Sequence, residues 1–192
     1  MPFGWEVSTV SRIATAIWLI PEVIGIIVQR ARPGAVDKDR GTRAVLVGGL
    51  ALGVIAGLTL TKALPGLDMP GFTAVFWTGI ALMLAGVVLR WSSIAVLGRY
   101  FTRSVSLAPG QTVVERGPYR FIRHPSYSGS LLSLLGFGLV MGNWAGLIAV
   151  MVISGAAILV RVNIEEKALR EGLGQAYDDY MRRTKRFIPF IY

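Results

Sequence analysis

Cysteine is absent from this chain of 192 residues, and His124 is its single histidine. Structural disulfides and thiolate metal sites are therefore excluded, and a zinc site built from several histidines is nearly excluded as well. Charge is also scarce, because 16% of the residues are charged, against roughly 25% in soluble domains. Hydrophobic residues make up 53%. The chain is therefore expected to bind no metal and to be surrounded largely by an apolar medium.

Three long stretches contain no charged residue at all, namely 44–61, 69–89 and 125–160. Uncharged apolar runs of about 18 or more residues are typical of membrane-spanning helices. A soluble protein would have to bury all three runs in one small core. The composition therefore predicts an all-α, polytopic membrane helical bundle of about five transmembrane helices.

The first three spans are predicted in the N-terminal half. The first runs from about residue 11 to 28, where Pro21 is expected to kink it and Glu22 lies near its middle. A carboxylate at that depth is costly and usually faces the protein interior. The second and third spans cover 44–61 and 72–89, and the third is expected to continue as a helix to Leu97 before the chain emerges at Gly98.

The uncharged run 125–160 is too long for one span. As a single helix it would be about 54 Å long, against a hydrocarbon core of about 30 Å. We therefore predict a helical hairpin that turns at Gly142-Asn143, with arms at 125–141 and 144–160. The charged segment 161–183 has helical hydrophobic periodicity, which predicts a C-terminal amphipathic helix with a break near Gly172 and Gly174.

Lysine and arginine are distributed very unequally between the two sides of this topology. Of the 20 such residues, 18 lie in the first loop, the third loop and the C-terminal segment, and only Arg12 and Lys62 lie on the other side. Cytoplasmic loops carry such an excess. The C-terminus is therefore predicted to be cytoplasmic and the N-terminus outside, in the plasma (inner) membrane. The net charge of +9 follows from the same bias, and no nucleic-acid-binding signature accompanies it.

Polar residues concentrate in two segments that this topology places at the same membrane face. One is 113–129, with the sequence VVERGPYRFIRHPSYSG, and the other is 161–166, with the sequence RVNIEE. Because the hairpin brings its own two ends together, His124 and Arg161 are expected to be neighbours. The sequence thus predicts a polar pocket at the cytoplasmic interface, walled by apolar helices.

Each residue of this cluster also has a simpler interpretation. His124 alone would be an interfacial residue bonded to backbone, and Tyr119 and Tyr127 would belong to an aromatic belt. Arg161 and Glu165, at i and i+4, would be a surface pair worth roughly a few tenths of a kcal/mol. The occurrence of all of them in one place favours a functional site.

Three separated motifs resemble those of the isoprenylcysteine carboxyl methyltransferase family, in the same order. They are Gly117-Pro-Tyr-Arg-Phe-Ile-Arg-His-Pro-Ser-Tyr-Ser-Gly129 before the hairpin, Arg161-x-x-x-Glu165-Glu166-x-x-Leu169 after it, and Gly174-x-x-Tyr177-x-x-Tyr180 with Arg186-Phe187-Ile188-Pro189 at the end. The resemblance covers roughly 95–192, and the first 90 residues match only as membrane spans. The chain has Leu173 where family members often have phenylalanine.

The resemblance implies a site for S-adenosylmethionine (SAM) formed by the 113–127 segment and the final helix. The cofactor-binding residues that it implies are Val113, Val114, Gly117, Tyr119, Arg123, His124, Pro125, Tyr127, Glu165 and Tyr177. Arg161 and Glu166 are implied to be catalytic and to face the reacting group. A planar guanidinium suits a substrate carboxylate, and Glu166 would instead act as a base if the acceptor were an amine.

The leading functional hypothesis is an integral membrane methyltransferase whose lipophilic or prenylated acceptor enters from the bilayer. An isoprenylcysteine-like carboxylate is the first acceptor considered, and a lipid amine, a quinone-like phenol or a small isoprenoid acid are alternatives. A membrane reductase of the sterol-reductase type is the second hypothesis; Arg116, Arg120 and Arg123 would then meet the phosphates of NADPH. A small channel or scaffold is the third, and it leaves the polar cluster unexplained.

The predicted organisation follows from these assignments. Residues 1–97 are expected to form the three N-terminal spans, and residues 98–192 the catalytic, cofactor-binding region. The second region contains the hairpin 125–160 and the C-terminal helix 161–183.

Overall fold

The computed structural model describes residues 9–20, 36–37, 41–101, 106–107 and 110–189. Its helices are α1 (Thr9–Ile20), α2 (Thr42–Ala63), α3 (Phe72–Leu97), α4 (Pro125–Val140), α5 (Trp144–Leu173) and α6 (Gln175–Arg183). Short turns of 3-10 helix lie at Pro65–Leu67, Gly98–Tyr100 and Gly117–Arg120. Two-residue strands β1 (Val36–Asp37) and β2 (Ser106–Leu107) pair antiparallel. The prediction of an all-α membrane bundle is confirmed.

Three helices of the described ranges, α2, α3 and α5, are long and apolar enough to cross a membrane. They contain 22, 26 and 30 residues. Helix α1 is a shorter apolar helix, and α4 has 16 residues. The first predicted span agrees with α1 as far as Ile20, and its remainder, with Pro21 and Glu22, lies outside the described residues. The chain is an integral membrane protein.

The hairpin turns where the sequence predicts it. Gly142 adopts a positive φ of 67°, and the Asn143 side chain accepts a hydrogen bond from the Gly146 N–H at 3.2 Å, which caps α5. The Asn143 amide also donates to Leu64 O and to Asp68 Oδ1, both at 2.9 Å. The turn of the hairpin is thereby tied to the connection between α2 and α3.

Helix α5 is longer than the predicted span, because 144–160 and 161–173 form one continuous helix. Thirty helical residues measure about 45 Å, against a hydrocarbon core of about 30 Å. The uncharged part ends at Val160, so the turns from Arg161 onward extend beyond the core. The helix ends at Gly174, whose φ of 56° and ψ of −135° are a backbone conformation that glycine adopts readily and residues with a Cβ do not.

The helices form one bundle in which α2 packs along α5 and α3 along α4. Glycines lie at both seams, and at the α3–α4 seam backbone meets backbone. A Cβ on Gly79 would lie 2.7 Å from Gly136 O, and one on Gly129 would lie 2.6 Å from Arg90 N. Small residues permit such close approach between membrane helices. The predicted boundary at 97/98 therefore does not coincide with a break in packing among the described helices.

The core lies between these helix pairs. Its fully buried members include Phe76 and Met83 from α3, Leu134 from α4, and Val150 and Ile158 from α5. Helix α1 joins this core through Trp18, whose ring centroid lies 5.3 Å from that of Phe137. The packed core holds the ends of α4 and α5 in fixed relative positions, and the polar cluster is built on those ends.

Candidate active site

The polar cluster lies at the charged end of the bundle, where α4 begins and α5 continues past Arg161. His124 immediately precedes α4, and Pro125 occupies the first helical position. Proline suits that position because an N–H there would have no acceptor within the helix. The extended residues that follow α6 run alongside 121–124. Arg123 N donates to Lys185 O at 2.7 Å, and His124 N donates to Arg186 O at 3.1 Å. The C-terminal segment is thus part of the cluster.

Glu166 is the centre of the cluster and is only 3% exposed. Its Oε1 accepts from Arg123 Nε at 2.9 Å and lies 3.1 Å from His124 Nε2. Its Oε2 accepts from Arg186 Nε at 3.0 Å and from Arg186 Nη2 at 2.6 Å. A buried carboxylate is stable when paired and hydrogen-bonded in this way.

These contacts set the protonation state of Glu166, which lies beyond the uncharged span. Burial alone would raise the pKa of its carboxyl group. The hydrogen bonds from His124, Arg123 and Arg186 outweigh burial and lower that pKa to about 2. Glu166 is therefore an anion at neutral pH. His124 and Arg161, which the sequence predicts to be neighbours, are linked through Tyr127, whose ring packs against His124 and whose hydroxyl oxygen lies 3.4 Å from Arg161 Nε.

Arg123 also holds the end of α6 in place. Its Nη1 donates to Met181 O at 3.2 Å and to Thr184 O. Tyr180 adds a second tie between the same segments, because its hydroxyl donates to Tyr119 O at 2.7 Å. The Nε and Nη1 donors of Arg123 thus point at protein acceptors. The NADPH hypothesis requires this guanidinium to face the phosphates of a cofactor instead.

A second chain of hydrogen bonds runs through the cluster and connects α4, α5 and α2. The Tyr127 hydroxyl donates to Glu165 Oε2 at 2.9 Å, and Arg161 Nε lies 3.4 Å from the Tyr127 oxygen. Arg161 Nη1 donates to the Thr42 hydroxyl oxygen at 2.6 Å. Arg161 is 2% exposed. This burial is incompatible with the simpler interpretation of Arg161 as half of a surface ion pair.

Buried tyrosines form the wall on the side of α6. Tyr119, Tyr177 and Tyr180 are 7%, 4% and 3% exposed. Burial raises the pKa of Tyr177, and the negative charges of Glu166 and Glu165 raise it further. Tyr177 therefore presents a neutral ring and hydroxyl next to both glutamates. The rings of Tyr127 and Phe187 pack around His124, with centroids 5.9 Å and 6.2 Å away.

The other predicted residues lie on the approach to this cluster. Val113 and Val114 are half-buried in the irregular segment before the 3-10 turn, and Gly117 begins that turn with a φ of 55°. A Cβ on Gly117 would lie 3.1 Å from Val96 Cγ2. Among the hydrogen bonds that the described residues make with Glu166, none involves Val113, Val114 or Gly117. Arg116 and Arg120, the other arginines of the reductase hypothesis, are exposed.

Three polar residues of the cluster were not predicted from the sequence. Arg186 binds Glu166, Thr42 binds Arg161, and Arg90 donates from Nη1 to Ser126 Oγ at 2.8 Å. Arg186 lies inside a quoted motif, so its charge was a usable signal. Thr42 begins α2, and Arg90 directly follows the uncharged part of α3. Nothing in the local sequence distinguishes either of them from an ordinary residue at the boundary of a span.

An open cavity of about 620 Å³ lies beside Glu166, between α5, α6 and the C-terminal segment. Small-molecule sites have volumes of this order. The residues that line it are Asn163, Glu166, Lys167, Arg170, Glu171, Asp178, Met181 and Arg186. Glu166 and Arg186 thus separate the buried cluster from the solvent-facing cavity. Within the described ranges, no group of three or more His, Cys, Asp or Glu residues is placed to hold a metal ion.

Comparisons with known proteins agree with the motifs. A family model described as phospholipid methyltransferase (PEMT) matches residues 74–176, which is more than half of the chain. Protein-S-isoprenylcysteine O-methyltransferase B of Arabidopsis thaliana is 30% identical over 127 residues, which are 64% of this chain and 64% of that protein. The probable protein-S-isoprenylcysteine O-methyltransferase of Oryza sativa subsp. indica is 28% identical over 134 residues, or 69% of this chain and 70% of that protein.

A solved structure has the same fold. It is the eukaryotic intramembrane Ras methyltransferase ICMT (isoprenylcysteine carboxyl methyltransferase), and it superposes with a TM-score of 0.62 at 25% sequence identity. The match covers 93% of this chain and 60% of that chain. The predicted resemblance to the isoprenylcysteine methyltransferases is thereby confirmed, although this chain spans only about two thirds of their length. The chain belongs to the phospholipid methyltransferase family.

Proposed function

We propose that this protein is a SAM-dependent methyltransferase that methylates the carboxylate of a lipophilic, isoprenylcysteine-like acceptor. The observation that carries the proposal is the meeting of the 119–127 segment with the 161–177 segment at one end of an apolar hairpin. A buried arginine and two glutamates lie there among aromatic side chains. The similarity to methyltransferases of this acceptor class supports the same conclusion.

The chemistry of the donor set suits SAM. The cofactor combines a cationic sulfonium, an amino-acid group and an adenosine, so its site needs negative charge, hydrogen-bond acceptors and flat apolar surface. Glu165 and Tyr127 supply a carboxylate beside a phenol, and Tyr177 supplies a buried ring. Bound there, SAM would supply an electrophilic methyl group.

We assign the wider cofactor site to the residues implied by the motifs, with one change of role. Its proposed members are Val113, Val114, Gly117, Tyr119, His124, Pro125, Tyr127, Glu165 and Tyr177. Arg123 is assigned to the wall of the site, because it joins Glu166 to the end of α6. Water exclusion is provided by the buried tyrosines and by the C-terminal segment that covers His124.

Arg161 is the proposed anchor of the acceptor carboxylate. It lies at the point where the uncharged part of α5 ends, so a polar head placed there leaves an apolar tail among the spans. A guanidinium holds a carboxylate in a defined plane, and alignment is the main requirement of a methyl displacement. An anionic acceptor oxygen needs no proton removed by the protein.

Glu166 has the wrong properties for a general base. A base acting at neutral pH should have a pKa near 7, whereas four contacts hold the pKa of Glu166 near 2. This favours a carboxylate over a lipid amine as the acceptor, since an amine would have to lose a proton. We propose that Glu166 instead fixes His124, Arg123 and Arg186 around the site.

We place the site at the cytoplasmic face of the plasma (inner) membrane. The unequal distribution of lysine and arginine supports this orientation. The acceptor would then enter sideways from the bilayer, between spans, while the cofactor would enter from the cytoplasm.

The proposal is tested with purified protein in detergent. SAM, S-adenosylhomocysteine and NADPH are titrated by calorimetry, and methyl transfer from radiolabelled SAM is measured with S-farnesylcysteine, a fatty acid and phosphatidylethanolamine. We expect binding of the first two ligands and methylation of the prenylated carboxylate. Binding of NADPH alone would identify a reductase, and methylation of phosphatidylethanolamine alone would identify an amine methyltransferase.

A further inference from the structure

The packing of α2 against α5 determines which residue of the N-terminal half reaches Arg161. Gly49 faces Ala157, Gly53 faces Ser154, and Gly57 faces Val150. A Cβ on any of these glycines would overlap the facing side chain, so α2 lies directly on α5. The facing positions advance by three or four residues on each antiparallel helix. The start of α2 lies two turns beyond Gly49 and Arg161 lies one turn beyond Ala157, so the long Arg161 side chain spans the remaining distance along the seam to the start of α2.

Thr42 is the residue at that position, and it is the first residue of α2. Its hydroxyl oxygen accepts a hydrogen bond from Arg161 Nη1 at 2.6 Å. Thr42 is 4% exposed and Arg161 is 2% exposed, so water does not compete for this bond. Tyr127 contacts the same guanidinium at Nε, at the longer distance of 3.4 Å. Of these two hydrogen bonds to Arg161, the shorter one thus comes from the N-terminal half of the chain.

We propose that Thr42 is a positioning residue for the reaction, which acts by fixing the orientation of the Arg161 guanidinium towards the acceptor. This inference rests on the proposed function, because Arg161 is the proposed acceptor anchor. An arginine side chain has many rotamers, and a bound carboxylate needs one of them. The hydroxyl of Thr42 selects that rotamer before the acceptor arrives, so the N-terminal half contributes to specificity as well as to the membrane bundle.

The test compares variants that keep the shape of residue 42 and change its hydrogen bonding. Thr42→Val removes the hydroxyl at nearly constant volume, and Thr42→Ser keeps it. Thr59→Val is the matched control on the same helix, because the Thr59 hydroxyl donates to Ile55 O and the residue is exposed. For each variant, kcat and KM for S-farnesylcysteine are measured beside the Kd of SAM.

We expect kcat/KM for the acceptor to fall about tenfold in Thr42→Val, as for the loss of one hydrogen bond to a charged group. The SAM Kd should stay within about twofold, and Thr42→Ser and Thr59→Val should resemble the wild type. In an Arg161→Lys background, Thr42→Val should add little, because the effect passes through Arg161.

Three results would overturn the inference while leaving the proposed function intact. They are an unchanged kcat/KM in Thr42→Val, an equal loss of SAM affinity and acceptor turnover, and a full additional loss in the Arg161→Lys background. If the wild-type protein methylated no acceptor, the proposed function would fail and this inference would fail with it.

Discussion

Replacement of Glu166 by glutamine tests whether one buried anion holds the site together. The change keeps the size of the side chain and removes the charge on which Arg123, His124 and Arg186 converge. The NH2 group of the glutamine would also face a hydrogen-bond donor of these residues, where a carboxylate oxygen now accepts. We expect the C-terminal segment to loosen, because Arg186 and Arg123 both join it to α5.

The size of the effect follows from the pKa of Glu166. A shift from 4.5 to about 2 corresponds to about 3 kcal/mol, at roughly 1.4 kcal/mol per pKa unit. The side chain of Glu166 is only 4% exposed, so solvent screens these contacts little. The free energy of unfolding should therefore fall by about 3 kcal/mol, which lowers Tm by roughly 6 to 12 °C.

The pH dependence gives an independent check of this reasoning. The pKa of Glu166 is lowered in the folded state, so its stabilisation is complete above the unfolded-state value near 4.5 and is lost as pH falls towards about 2. The Tm difference between wild type and Glu166→Gln should be constant above about pH 5.5 and should shrink between about pH 4.5 and pH 2.

The assay is thermal unfolding in detergent, followed by tryptophan fluorescence across this pH range. Glu115→Gln is the matched control, because Glu115 accepts from Arg183 at 3.0 Å but the two side chains are 41% and 61% exposed. Exposed pairs contribute little, so the control should lose less than about 1 kcal/mol. A Tm difference for Glu166→Gln no larger than that of the control, or one independent of pH, would refute the argument.

Three further predictions concern the site and the topology. His124→Ala should weaken SAM binding by ~1 kcal/mol or more, measured by calorimetry on folded protein, because a buried hydrogen-bonding ring is lost; an unchanged Kd would assign His124 to a purely interfacial role. Arg161→Lys keeps the charge but loses the planar fork, so methyl transfer to a carboxylate acceptor should slow about tenfold with SAM affinity retained; equal losses of both would move Arg161 into the cofactor site. A reporter fused to the C-terminus should be active on the cytoplasmic side, as the distribution of lysine and arginine predicts; activity only on the outer side would contradict the topology.

The sequence by itself determined the bundle and the location of the cluster. Hydrophobic runs report burial in lipid directly, because each charged residue within a span is costly. The length of 125–160 required a turn, and Gly142-Asn143 supplied the positive φ and the helix cap that the structure uses. The same hairpin argument predicted that His124 lies near Arg161, where the charged part of α5 begins. These conclusions depend on local chemistry and on the match between the length of a hydrophobic run and the thickness of a bilayer, and both can be read from the sequence.

Tertiary structure alone decided which side chains pair. Arg161 and Thr42 are 119 positions apart, and Glu166 meets Arg186 across 20 positions and Arg123 across 43. No periodicity reports such contacts, since they depend on the register between helices. The register comes from glycines that let α2 lie on α5, and one helical turn of slippage would separate Thr42 from Arg161. Whether Glu166 is a base or a fixed anion depends on those pairings, and for that reason only the folded chain could distinguish the two roles.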